Sequence, residues 1–472
     1  MSPGVAKVVT GIPGFDHVTM GGLPARRTTV VTGQAGCAKT VFAAQFLAEG
    51  VRRGEPGVFV TLEEPEADLR LNLATLGWDI AQWEQSQDWT FVDASPVLRD
   101  DGSTVPYSFS TLAAQIGHAV DRTGAQRLVL DGLNSVVSLS EDPGSARQHL
   151  RGLISDLRAS GLTVVMTVET ASDPASSPSR VGIEEFVADN VVLLRNTREG
   201  KGRRRTVEVL KMRGAPHHKG EYSFTVQSGR GIVVLPVEVT AMSAGRASGR
   251  VLSGVPGLDA MANGGLPRDS ITLLSGPTGA GKTLMALEFL AAGAAAGDRG
   301  LLLGYEESPA QIARNAVGRG RELVTLIDSG QVRAISVYPE ESSLEDHLLE
   351  IRNIVEEFDP QRLVVDSLTA LERAGSAQAY REFVVGLTSF AKSRNLTSVL
   401  TVTAGALDDP VALSLGHVST LADSVVLLRY VPERGRVRRA ITLLKMRGSA
   451  HDTAVREFAI TDEGIVIGEP LD

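Results

Sequence analysis

Gly276-Pro277-Thr278-Gly279-Ala280-Gly281-Lys282-Thr283 satisfies the pattern G-x-x-x-x-G-K-T/S at every fixed position. Glycines in such a loop let successive backbone N–H groups converge on phosphate oxygens, the lysine adds positive charge, and the hydroxyl ligates Mg²⁺. A near copy, Gly33-Gln34-Ala35-Gly36-Cys37-Ala38-Lys39-Thr40, stands earlier, and Gly33 to Gly276 is an offset of 243 residues. Two phosphate-binding loops in 472 residues imply a duplicated nucleotide-binding chain, each half long enough to bury its own core.

The duplication extends outward from the loops. Thr10-Gly11-Ile12-Pro13-Gly14-Phe15-Asp16 returns as Ser253-Gly254-Val255-Pro256-Gly257-Leu258-Asp259, and Gly21-Gly22-Leu23-Pro24 as Gly264-Gly265-Leu266-Pro267. Apolar runs 28–32 and 271–274 lead into the loops, and apolar-periodic stretches 41–48 and 284–292 follow them. This is strand, loop, helix, with bound phosphates facing a helix N-terminus. Second strand candidates, 57–62 and 301–305, end in the acid pairs Glu63-Glu64 and Glu306-Glu307. Third strands end in Asp131 and Asp366, where an acid closing a buried apolar run suits a metal-directed carboxylate. Leu210-Lys211-Met212-Arg213-Gly214 matches Leu444-Lys445-Met446-Arg447-Gly448 at an offset of 234, so nine residues are lost in loops between. Apolar strands alternating with helical stretches predict an α/β fold, each half a mostly parallel sheet covered by helices. The expected domains are 1–242 and 250–472, joined by a Gly/Ser/Arg-rich linker at 243–249.

A net charge of −9 counts against a broad grip on nucleic acid. The lone cysteine, Cys37, excludes an intramolecular disulfide, the N-terminus lacks a signal-peptide layout, and no apolar run approaches membrane-spanning length. A cytoplasmic chain is expected. Cys37 itself is read as a small space-filling side chain, with redox sensing as the alternative.

Phosphoryl transfer needs phosphate clamping, Mg²⁺, an oriented nucleophile and charge compensation. Lys39 and Lys282 are assigned to the β/γ-phosphates of ATP, Thr40 and Thr283 to Mg²⁺ with Asp131 and Asp366, and Glu63, Glu64, Glu306 and Glu307 to general-base roles. Ala38 replaces the glycine expected before lysine, and its Cβ is expected to crowd the phosphates or restrict the backbone, altering affinity or turnover. Lys211, Arg213, Lys445 and Arg447 lie far downstream of their loops. They either reach a neighbouring subunit's nucleotide or are ordinary surface cations.

Together these residues resemble the KaiC family, two-domain RecA-like clock ATPases and autokinases, over nearly the whole chain. Gly182-Ile183-Glu184-Glu185-Phe186-Val187-Ala188-Asp189-Asn190, Glu306-Glu307-Ser308 and Lys445-Met446-Arg447-Gly448-Ser449 share its wording. The resemblance implies two tandem RecA-like P-loop NTPase domains, a double-ring homohexamer that stacks further if dodecamers form, and ATP at subunit interfaces. It also implies slow hydrolysis in the first ring and Ser/Thr autokinase and autophosphatase activity in the second. It adds His217, Leu284, Arg439, Met446 and His451 to the nucleotide contacts. The family's phosphorylation motif corresponds to His417-Val418-Ser419-Thr420, making Ser419 and Thr420 the acceptors, opposite Glu185 and Phe186 of the first half. By resemblance, Glu306 of one subunit activates the hydroxyl of its neighbour.

Two further departures stand beside Ala38. Arg319 replaces an adenine-side tryptophan, and the chain ends at Asp472 without the tail that engages KaiA. KaiA dependence is therefore not expected, whereas a KaiB-like partner is expected on the helical stretch 108–120, unless that is a plain covering helix. Competing readings are a RecA-like DNA-dependent ATPase, disfavoured by charge, and a nucleotide-gated ring scaffold with an inert first site.

Overall fold

A computed structural model describes residues 5–95, 109–137, 143–170, 188–199, 202–235, 249–315, 320–403, 419–433, 436–462 and 464–471. The chain divides into two compact units at Pro236/Val237, with Glu199–Gly202 grouped with the second. The predicted linker, but for Gly249, lies outside the described residues.

The first unit opens with a small antiparallel pair, β1 (Lys7–Val8) and β2 (Leu23–Pro24). Its main sheet comprises β3 (Thr28–Gly33), β4 (Gly57–Thr61), β5 (Trp89–Asp93), β6 (Arg127–Asp131), β7 (Thr163–Glu169), β8 (Asn190–Glu199), β9 (Gly202–Met212), β10 (Glu221–Gln227) and β11 (Gly231–Leu235). The order is β5-β4-β6-β7-β3-β8-β9-β10-β11. Neighbours from β5 to β8 are parallel, and β9, β10 and β11 form an antiparallel extension.

The second unit repeats this design. After β12 (Arg250–Val251) and β13 (Leu266–Pro267) come β14 (Ile271–Gly276), β15 (Gly300–Gly304), β16 (Val332–Ser336), β17 (Arg362–Asp366), β18 (Thr397–Thr403), β19 (Ser424–Glu433), β20 (Arg436–Met446), β21 (Arg456–Thr461) and β22 (Gly464–Pro470). Their order, β16-β15-β17-β18-β14-β19-β20-β21-β22, is strand for strand that of the first unit. The offset is 243 at Asp93/Ser336, 235 at Phe109/Leu344 and 234 at Pro143/Ala377. The nine lost residues therefore fall in connections between elements.

Strands buried on both faces read as unbroken apolar runs. Val30 packs on the side of Leu112, Ile116 and Leu150, while its neighbour Val31 packs with Phe42, Phe46 and Leu47 of the helix Lys39–Arg52. One side chain tethers that helix to the sheet. Arg127, 1% exposed at the head of β6, donates to the carbonyls of Phe46 (2.7 Å) and Val9 (2.9 Å) and pairs with Glu55. Arg362 does the same in the second unit with Phe289, Leu252 and Asp298. The recurrent Thr10–Asp16 motif is likewise structural, Asp16 accepting from the Thr10 backbone N–H and hydroxyl, as Asp259 does from the Ser253 N–H.

Candidate active site

The C-terminal ends of β3, β4, β6 and β7 lie together, with Thr61 level with Asp131 and Gly33 level with Glu169. In open α/β sheets, ligands bind outside the carboxyl ends of the strands. The first phosphate loop leaves β3 there and enters the helix Lys39–Arg52; the second leaves β14 and enters Lys282–Ala295. Lys39 Nζ donates to the carbonyls of Gly33 (3.0 Å) and Gln34 (2.9 Å), and Lys282 Nζ to those of Gly276 (2.8 Å) and Pro277 (3.1 Å). Burial draws the Lys282 pKa down, while Asp366 and Glu306 favour its charged form.

Ala38 stands at φ +73°, ψ +31°, in the left-handed region that Gly281 occupies at φ +105°. The helix nonetheless begins at Lys39 as its counterpart does at Lys282. The expected backbone restriction is thus a strained dihedral, not a displaced loop. Cys37 is fully buried in the apolar cluster beneath, and burial pushes its thiol pKa up.

The carboxylates of Asp131 and Asp366 have one geometry. Thr40 Oγ1 donates to Asp131 Oδ2 at 3.0 Å, and Thr283 Oγ1 to Asp366 Oδ2 at 2.7 Å. The other oxygen of each accepts from a threonine on the intervening strand, Thr167 of β7 (2.6 Å) and Thr401 of β18. Burial pushes the Asp131 pKa up to about 6 against these hydrogen bonds. Among the described residues no group of three or more His, Cys, Asp or Glu side chains could hold a metal by itself. A threonine and one carboxylate suit Mg²⁺ that also takes phosphate oxygens and water.

The acid pairs leave the ends of β4 and β15. Glu63 and Glu64 are exposed, Glu306 is exposed and Glu307 half-buried. Thr61 Oγ1 donates to the Glu64 carbonyl at 2.5 Å, and Ser336 Oγ to that of Glu307 at 2.9 Å. Gly132, following Asp131 at φ +86°, lets Glu63 approach: a Cβ there would lie 2.8 Å from the Glu63 Cβ.

The remaining assigned residues separate into two groups. Arg439 lies with the loop of its own unit, its guanidinium 5.9 Å from the Tyr430 ring centroid, while the Tyr430 hydroxyl reaches the Thr278 carbonyl at 3.4 Å. Leu284 is buried in the helix behind Lys282. At the opposite end of the sheets, Lys211 Nζ donates to the Ala188 carbonyl, and the Arg213 N–H to that of Asp189, itself bonded to the first residue of β3. His217, half-buried, follows β9. Lys445 Nζ donates to the carbonyls of Ser419 and Ala422, both at 2.8 Å, and Arg447 to that of Thr420 at 2.5 Å. Met446 is buried beside Arg250, and His451 Nδ1 lies 3.3 Å from the Ser449 carbonyl. Ser419 is half-buried and Thr420 exposed. They precede Ser424, which is level with Thr272 at the start of β14, whereas the phosphate loop leaves its far end. That strand puts roughly 17 Å between the two. Glu185, Phe186, Arg319, His417 and Val418 lie outside the described residues.

Two pairs escaped the sequence reading. Thr167 and Thr401 recur at the offset of 234 inside Met166-Thr167-Val168 and Leu400-Thr401-Val402, a signal that was present. Asn196 and Tyr430 occupy one position of β8 and β19 and both touch the phosphate loop, Asn196 Nδ2 donating to the Gly36 carbonyl at 3.2 Å. Their chemistry differs, so recurrence gave no sign of them.

A family model described as "ATPase: KaiC" matches residues 8–239 and 251–472. The chain is 46% identical to circadian clock protein KaiC3 of Synechocystis sp., over 99% of this chain and 93% of that protein. It is 42% identical to the circadian clock oscillator protein KaiC of Thermostichus vulcanus (98% and 89% covered). Identity to the protein of that name in Synechococcus elongatus is 41% (98% and 88% covered). No helix among the described residues is long and apolar enough to cross a membrane.

Proposed function

The chain belongs to the KaiC ATPase family, and from that premise we propose that both units bind MgATP and that the second passes the γ-phosphate to Ser419 or Thr420 of a neighbouring copy. Bound Mg²⁺ supplies charge neutralisation on the phosphates. Lys282 and the loop N–H groups of 276–283 hold the triphosphate, Thr283 and Asp366 hold the metal, and Thr401 keeps the carboxylate turned towards it. Glu306, at the end of β15, accepts the proton of the attacking hydroxyl. Glu307 beside it is anchored through its backbone by Ser336.

The observation that carries this reading is the pair of cations gathered on the acceptor segment. Lys445 and Arg447 bond to the backbone of Ser419 and Thr420 and so bring positive charge to hydroxyls that would become phosphates. Acceptor and phosphate loop lie at opposite ends of one sheet, which supports transfer between copies in a ring, the homohexamer of the family. In that ring Lys211, Arg213, His217, Met446 and His451 face the neighbour's nucleotide. The first unit, with the same Lys39, Thr40 and Asp131 frame and with Glu63 and Glu64, hydrolyses ATP. The reverse reaction on the phosphorylated residue, a cytoplasmic switch or timing role, and a KaiB-like partner on the polar face of the helix Phe109–Thr123 belong to the same proposal.

Incubation with MgATP followed by peptide mapping tests it. Phosphate on Ser419 or Thr420, lost when Glu306 and Glu307 are both changed to Gln, is the expected result. An unmodified peptide from protein with ATP bound sinks it.

A further inference from the structure

Tyr305 immediately precedes Glu306, and its ring meets that of His347 edge to face, with centroids 5.5 Å apart and planes at 89°. His347 is 1% exposed on the helix Leu344–Phe358, which starts at the Ser343 cap. Its Nε2 lies 3.0 Å from the Pro339 carbonyl. A carbonyl can only accept, so Nε2 is the donor; Nδ1 has no hydrogen-bond partner among the described residues. A buried polar edge left unsatisfied is held against a free-energy penalty, which calls for a return elsewhere.

The segment His347 grips also holds the acid pair. Residues 336–339 run from β16 to Pro339: the Ser336 hydroxyl donates to the Glu307 carbonyl at 2.9 Å, and the Val337 N–H to the Gly304 carbonyl at 3.1 Å. The Tyr305 N–H donates to the Asp366 carbonyl at 2.8 Å. His347 thus ties two sides of the acid-bearing turn, one through Pro339 and one through the Tyr305 ring.

Among the described residues the first unit lacks this tie. Its turn keeps the same backbone bonds, Leu62 N–H to the Asp131 carbonyl and Ala94 N–H to that of Thr61, both 2.9 Å. Behind it, however, stand Leu62 (offset 243 from Tyr305) and Leu112 (offset 235 from His347), both in the apolar cluster. An apolar pair already fills this place in one half of the molecule, so packing alone does not demand the polar pair.

We infer that His347 is a positioning residue of the second site, which fixes Glu306 through Tyr305 and the 336–339 segment. The inference rests on the reading of Glu306 as the base. It makes the acid of the second site more rigidly placed than those of the first, as suits a base that must meet a hydroxyl carried by another chain rather than mobile water.

The test uses the full chain with Lys39→Ala silencing the first site. Consumption of γ-labelled ATP is followed in a single turnover, counting both hydrolysis and transfer, and ATP affinity is measured alongside. His347→Leu copies the first unit and should slow turnover about tenfold at unchanged affinity, misplacement by a fraction of an ångström being enough. His347→Gln, which keeps a donor for the Pro339 carbonyl, should restore most of the rate. His347→Leu as fast as its parent overturns the inference, and so does His347→Gln as slow as His347→Leu. Glu306→Gln separates the two readings: if it is slow while His347→Leu is fast, only the inference falls, and if it is fast, the assignment of Glu306 falls and takes the inference with it.

Discussion

Ala38 shows how a motif departure is absorbed. An L residue with a Cβ in the left-handed region pays roughly 1 kcal/mol relative to glycine, yet Lys39 and Thr40 reach the same partners as Lys282 and Thr283. Ala38→Gly should therefore raise the stability of the first unit by about 1 kcal/mol, read as a higher unfolding midpoint without nucleotide. Gly281→Ala should lower that of the second by about 1–2 kcal/mol, since its Cβ would sit 3.1 Å from Ile460 Cδ1 at φ +105°. The departure was legible in the sequence, because the motif fixes a residue type at that place. Its consequence was legible only as a restricted backbone; that this is a strained dihedral and not a displaced loop was not, since a motif carries no dihedral angles. Thr167, Asn196 and Tyr430 lie far along the chain from the groups they touch; only the recurrence of Thr167 as Thr401 could have pointed to one of them.

Among the elements, β7 and β18 have the largest unadvertised role. Each is inserted between the strand that feeds the phosphate loop and the strand that ends in Asp131 or Asp366. Each presents a threonine to the second oxygen of that carboxylate. Thr167→Val and Thr401→Val keep the side-chain shape and remove the donor; each should slow turnover of its own site about 10- to 100-fold, measured as Mg²⁺-dependent phosphate release with the other site silenced. Unchanged rates would mean that Thr40 and Thr283 alone orient the acids. Strands β3, β4 and β6, with their counterparts β14, β15 and β17, were legible as unbroken apolar runs because both of their faces are covered. The antiparallel pairing of the extension β9 to β11 and β20 to β22 was not, and exposed Arg436, Val437 and Arg438 interrupt the apolar pattern at the start of β20. The lateral order of strands depends on pairing between segments distant in the chain, on which local periodicity is silent.

At the scale of the molecule, duplication was the most readable property, since every repeated motif landed on the corresponding element of the second unit. The two halves share a sheet order but part company where Tyr305 and His347 replace Leu62 and Leu112. Transfer between copies is open to a mixing test. Chains carrying Lys282→Ala, unable to hold ATP in the second unit, are assembled with chains carrying Ser419→Ala and Thr420→Ala. Phosphate should appear on the Lys282→Ala chain in the mixture only; a reaction confined to one chain leaves it blank. The roughly 17 Å of strand between loop and acceptor has a last consequence. Under the proposed transfer a protomer alone would own both a donor and a recipient that never meet, so dilution by itself would work as an off-switch, and phosphate gained per molecule would rise with the abundance of the protein.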